Sequence, residues 1–208
     1  MLPSTGRCST IELSRNILNQ TRPKGRECIL TQNSRLAMLQ YKHMGVMLRL
    51  SSSAFEDCGI IPAKYTCDGS ATISPPLTIS GVPDGTKSLV LVMDDPDIPQ
   101  VAKDARGIDS FDHWVLYNIP PETRELPESD SGNVGVGELG LNGSGSVGYA
   151  SPCPPPHHEP KEHCYIFALY ALRDTLSFKE TPSKEQVLQA MESLLIAGVT
   201  LIGRYSRA

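Results

Sequence analysis

The sequence lacks most of the features that assign a chain to a class quickly. No stretch approaches the roughly 18 or more continuous apolar residues of a membrane helix, and the N-terminal region has no apolar centre of the kind a secretory signal carries, so a soluble protein without an integral membrane segment is expected. Basic runs are missing as well. Residues 1–43 hold seven Lys/Arg against two acids, so of the formal net charge of −4 this arm carries +5 and the remainder −9. A body so acidic repels a phosphate backbone, which argues against nucleic-acid binding. Aromatics make up only 6% of the chain, with a single Trp. The six cysteines include no Cys-x-x-Cys pair and are too sparse for a disulfide scaffold. They read as free intracellular thiols, with a bridge between Cys67 and Cys153 as the alternative.

Well-marked catalytic motifs are absent too. There is no G-x-S-x-G elbow, no Walker loop and no H-E-x-x-H. The segments "GVGELG" (135–140) and "GSGSVG" (143–148) satisfy G-x-G-x-x-G, but a dinucleotide site needs a strand before the glycines and a helix after them. Here "NGSGSVGYASPCPPP" follows, too rich in proline to open that helix. A flexible surface loop is the expectation.

What the sequence does have is turn residues, Gly 17 and Pro 17, between short apolar runs. Residues 1–46 are polar, basic and without sustained period, and are expected to be a disordered arm. A transit peptide, a regulatory tail and a start placed too far upstream all remain open for it. The folded domain is expected over 47–208. Its runs, Leu48–Phe55, Leu77–Val82, Ser88–Met93, Trp114–Ile119 and Tyr165–Leu172, are spaced as in an all-β sandwich or barrel. One helix is expected over about 183–197, where Val187, Leu188, Met191, Leu194 and Leu195 lie on one face. Ser183 and Gln186 have capping-box spacing and Gly198 is a plausible stop. "VTLIGRY" reads as a last strand, making the chain mainly β with a helix near the C-terminus.

Polar groups gather at the ends of the apolar runs. "LVLVMDDPDIP" ends a strand in Asp94, Asp95 and Asp97; His113 precedes one run and His163 another. Strand ends of one sheet can converge on one rim, and imidazoles beside carboxylates there would suit an anion. Two His with a carboxylate could instead hold a metal. The adjacent His157 and His158 lie in a proline loop and are expected to face solvent.

These residues, "DDPDIP", "FDHWVLYNIP", "GYASPCPPP" and "EHCYIFALYAL" in that order, resemble the phosphatidylethanolamine-binding protein family, and most closely its bacterial and archaeal Raf-kinase-inhibitor-like branch. The resemblance runs from about Leu48 to the C-terminus. It implies a β-sandwich with Greek-key strands and a small non-enzymatic pocket for phosphate or phosphorylethanolamine-like anions, without a cofactor. By motif it puts the pocket at Asp95, Asp97, His113, Tyr149, Pro152, Pro154, Pro155 and His163. It also implies a turn at Ile98–Pro99 in which a cis bond is expected. The histidine–arginine pair of the family is His163–Cys164 here, and Ser151 replaces the glycine before P-C-P-P; both put anion affinity in doubt more than pocket shape. A protein-interaction role, restraining a kinase or protease through the surface around 135–148, is the competing expectation, and a homodimer rests on the resemblance alone. The cytoplasm is expected, or an organelle if residues 1–43 are a transit peptide.

Overall fold

The computed structural model describes residues 47–207, so the expectations for the arm lie outside the described residues. Short strands open the domain: β1 (Arg49–Ser51), β2 (Gly59–Ile60), β3 (Ile73–Ser74) and β4 (Leu77–Ser80). Two long ones follow, β5 (Ser88–Asp95) and β6 (Phe111–Ile119), with helix α1 (Gln100–Arg106) between them. After the short β7 (Glu125–Leu126), β8 (Ser129–Asp130) and β9 (Glu138–Leu139) come β10 (Glu162–Leu172), helix α2 (Lys184–Met191) and β11 (Leu195–Ser206).

The main sheet has the order β2-β11-β10-β5-β6-β9, and β1-β4-β7 form a smaller sheet. β10 returns to pair with β5 rather than with β6, a Greek-key crossover as expected. Strand alternation explains why the sheets stack. In β5, Leu89, Leu91 and Met93 point one way and meet Trp114 and Leu116 of β6, Phe167 and Leu169 of β10, and Leu50, Leu77 and Ile79 of the smaller sheet in one buried core. Val90 and Val92 are buried on the other face, where α2 lies against β6 and buries Val187 and Met191. A central strand covered on both faces reads as an unbroken apolar run, which is why "SLVLVM" shows no alternation.

The helix expectation holds at its start and fails at its end. Ser183 accepts from the Gln186 amide while the Gln186 side chain accepts from the Ser183 amide, a capping box as expected. α2 stops at Met191, and one 3₁₀ turn (Glu192–Leu194) leads into β11. Gly198 is therefore not a helix stop. It pairs with Tyr170 of β10, whose ring would sit 3.2 Å from a Cβ added there. Pairing with β10 overrides the helical period from Leu195 onward, where Leu195 faces Leu172. α1 was not foreseen, because it buries no residue and shows no apolar stripe.

Two further expectations are corrected. The cis bond among the described residues is Glu159–Pro160, not Ile98–Pro99; Pro99 instead occupies the N-cap of α1. None of the described cysteines is a free thiol, and Cys67 and Cys153 form the bridge that was the alternative reading. The fold brings these two residues together across 86 positions, a proximity that sequence spacing does not encode.

Candidate functional site

β5, β6 and β10 are neighbours in the main sheet, and their ends on one side carry Asp95, His113 and His163. Asp95 lies on the core-facing side of β5, two residues beyond Met93; His163 and Tyr165 lie on the core-facing side of β10, four and two residues before Phe167. His163 Nδ1 meets Asp95 Oδ2 at 2.7 Å, and His113 Nε2 lies 3.9 Å from the same oxygen, an ion-pair distance rather than a hydrogen bond. All three side chains are buried.

Burial by itself raises the Asp95 carboxyl, but its contacts with His113 and His163, and then their charge, outweigh it and hold it below the usual carboxylate range. An ionised Asp95 only accepts, so His163 Nδ1 carries the proton. His113 Nδ1 lies 2.7 Å from the carbonyl oxygen of Ala150 and must donate to it. The Ala150 amide in turn donates to the His113 carbonyl at 2.7 Å, so Ala150 holds both the ring and the backbone of His113.

His113 reaches the site through a β-bulge. Across β5 and β6, Met93 faces Trp114 and the next pair is Asp94 with Asp112, which leaves His113 without a partner opposite it. In regular alternation a residue next to Trp114 would point away from the core; the extra residue turns His113 onto the same side, where its ring meets Tyr165 edge-on at 5.2 Å.

The other expected residues take different places. Asp97 closes the turn, donating its amide to Asp95 Oδ1 at 2.9 Å and accepting the Cys164 amide on Oδ2 at 2.9 Å, so it ties the turn to β10. Tyr149 is buried, its hydroxyl donating to the Tyr65 carbonyl at 2.8 Å and its ring edge-on to Trp114. Pro152 and Pro154 are buried and Pro155 is half-buried. The Pro152 carbonyl accepts from Cys67 at 3.0 Å, beside the Cys67–Cys153 bridge. His157 and His158 are exposed, as expected. The glycine loop is pinned by Asn142, whose side-chain oxygen accepts from the Ser144 and Ser146 amides and whose amide donates to the Gly148 carbonyl.

Sequence reasoning missed Tyr165. Its hydroxyl and the His163 Nε2 are both buried with no hydrogen-bond partner among the described residues, and the two rings stack at 6.4 Å. Burial and then the Asp95 charge push the Tyr165 phenol up, so it stays protonated. The available signal was its position two residues after His163, on the same face of one strand. Among the described residues, no group of three or more His, Cys, Asp or Glu is arranged to hold a metal ion. A cavity of about 470 Å³ is lined by Thr66, Ser70, Thr72, Ser146, Tyr149 and Ala150 among others; Asp95, His113, His163 and Tyr165 do not line it, and Ala150, whose carbonyl accepts from His113, is the residue common to both.

A profile of the phosphatidylethanolamine-binding protein family matches residues 51–206. The UPF0098 protein of Methanothermobacter thermautotrophicus is 44% identical over 163 residues, covering 77% of this chain and 99% of that protein. The UPF0098 protein of Chlamydia trachomatis is 42% identical over 161 residues, with 77% and 99% covered. The crystal structure of a phosphatidylethanolamine-binding protein homolog from Chlamydia trachomatis superposes with a TM-score of 0.69 at 39% identity, over 79% of this chain and all of that one. The crystal structure of E. coli YbcL, described as a new member of the mammalian phosphatidylethanolamine-binding protein family, gives a TM-score of 0.66 at 26% identity, over 77% of this chain and 99% of its own.

Proposed function

The chain belongs to the phosphatidylethanolamine-binding protein family, and from that premise we propose that it binds, without turning over, a small phosphate-bearing anion of the phosphorylethanolamine type at the cluster of Asp95, His113, His163 and Tyr165. One observation carries the reading: His163 Nε2 and the Tyr165 hydroxyl are buried without a hydrogen-bond partner among the described residues, on two rings stacked at 6.4 Å. Leaving a polar atom buried and unpaired costs about 1–3 kcal/mol, a cost that acceptor oxygens of a ligand would remove.

The protonation pattern supports an anion. With Nδ1 donating to Asp95, Nε2 is the only ring nitrogen of His163 left to meet a ligand, and it donates to an anion's oxygen as an imidazolium. Tyr165, held protonated, donates beside it. The same property argues for binding over catalysis, because a phenol kept neutral by burial and a nearby negative charge is a donor and not a nucleophile.

The test is an NMR titration of the full chain with phosphorylethanolamine, following the His113 and His163 ring signals across pH 5–8. Saturable shifts of both rings, lost in His163→Ala, are expected. Rings that titrate with pH but ignore ligand at millimolar concentration overturn the proposal and turn attention to a kinase or protease target at the surface.

A further inference from the structure

β5 and β6 carry the site on one face and an ion cluster on the other. Asp94 and Asp112 stand directly opposite each other in the register, two largely buried carboxylates whose side chains are 21% and 13% exposed. Like charges placed opposite on neighbouring strands repel. Between them sits the ammonium group of Lys184, 3.0 Å from Asp94 Oδ1, in close ion-pair contact with Asp112 Oδ1 and 3.0 Å from the hydroxyl of Ser110. Tyr170 of β10 is the remaining ionisable group that senses Asp94.

Nothing about helix α2 calls for a lysine there. Lys184 is its first residue, where the helix dipole disfavours a cation, and it is buried. Its placement makes sense only from the sheet beneath. The Asp94–Asp112 pair is the first pair beyond the bulge, and the bulge is what turns His113 onto the site. A one-residue slip that removed the bulge would return His113 to the opposite face and carry Asp112 to the core-facing side, so whatever fixes Asp112 opposite Asp94 also fixes the aim of His113.

We propose that Lys184 is a positioning residue of the anion site: by bridging Asp94 and Asp112 it holds the bulged register of β5 and β6 that presents His113 to the ligand. The inference builds on the function proposed above, yet its first readout does not need a ligand. In the full chain, Lys184→Met leaves the two carboxylates opposed and is expected to shift and broaden the His113 ring signals, strongly at pH 8 and weakly at pH 5, where Asp94, raised by burial to about 6, is protonated. Phosphorylethanolamine affinity is expected to fall about tenfold. Lys184→Arg should restore both. In an Asp94→Asn/Asp112→Asn background, where the repulsion is gone, Lys184→Met should leave the His113 signals unmoved.

His113 signals identical to wild type in Lys184→Met at pH 8, or an equal change in the double-Asn background, overturn the inference. If the wild type shows no ligand shifts, the proposed function falls while the ring signals still decide the role of Lys184. Should Lys184→Met not fold, Lys184→Gln, which keeps a polar group between the opposed carboxylates without the charge, carries the test: its His113 ring must differ from wild type at pH 8, and an unchanged ring overturns the inference.

Discussion

His163 donates through Nδ1 to Asp95 at 2.7 Å, while its opposite nitrogen is buried beside Tyr165 without a partner among the described residues. One end of the imidazole is satisfied by a carboxylate on the next strand, and the other is left for something the protein does not supply.

Replacing Asp95 with Asn separates orientation from charge. The amide can still accept from Nδ1, but the negative charge beside the two imidazoles is gone. Affinity for phosphorylethanolamine at pH 7 is expected to drop about tenfold or more. Titration calorimetry checks this; an affinity equal to wild type would mean that Asp95 only holds geometry.

Tyr165→Phe should move stability and binding in opposite directions. Deleting a buried hydroxyl that has no hydrogen-bond partner among the described residues is expected to leave the thermal midpoint unchanged or to stabilise by about 1 kcal/mol, while ligand affinity falls. A variant that loses stability would show that the hydroxyl has a partner in the folded protein.

Asp94 gives the fold a pH dependence of defined sign. Burial raises its carboxyl to about 6, with Lys184 opposing and Asp112 adding to the rise. Between its ordinary value of 3.8 and about 6 the folded state holds a proton that the unfolded state has released. The stability from that proton is complete below pH 4 and is lost as pH rises through 6, up to about 3 kcal/mol. Asp95, shifted downward, contributes above pH 4 and loses its contribution only on further acidification, so it does not mask the effect. Asp94→Asn cannot titrate, so its thermal midpoint relative to wild type should rise between pH 4.5 and pH 7. A constant difference would contradict the assignment.

Much of the site was legible in the chain because it lies at the ends of apolar runs. Asp95 and His163 could be placed on one rim from strand ends alone, and the capping box of α2 announced itself through Ser183 and Gln186. The parts that were not legible depend on neighbours remote in sequence. Tyr165 looks like any strand aromatic until the other strands are in place. Leu195 follows the helical period of its predecessors, yet pairs with Leu172 as part of β11. Lys184 reads as a solvated first-turn residue and is buried between two carboxylates.

The sequence by itself determined a mainly β fold, a helix start at Ser183 and a set of acids and histidines at strand ends, because these follow from periodicity, capping and turn chemistry within a few residues. Tertiary structure alone decided that Cys67 meets Cys153, that α2 gives way to a strand before Gly198, and that His113 is bulged toward Asp95 while Asp112 turns to Lys184. Each of those outcomes depends on which strand lies alongside which, and a one-residue change of register, invisible in local pattern, would reverse the face that every later side chain presents.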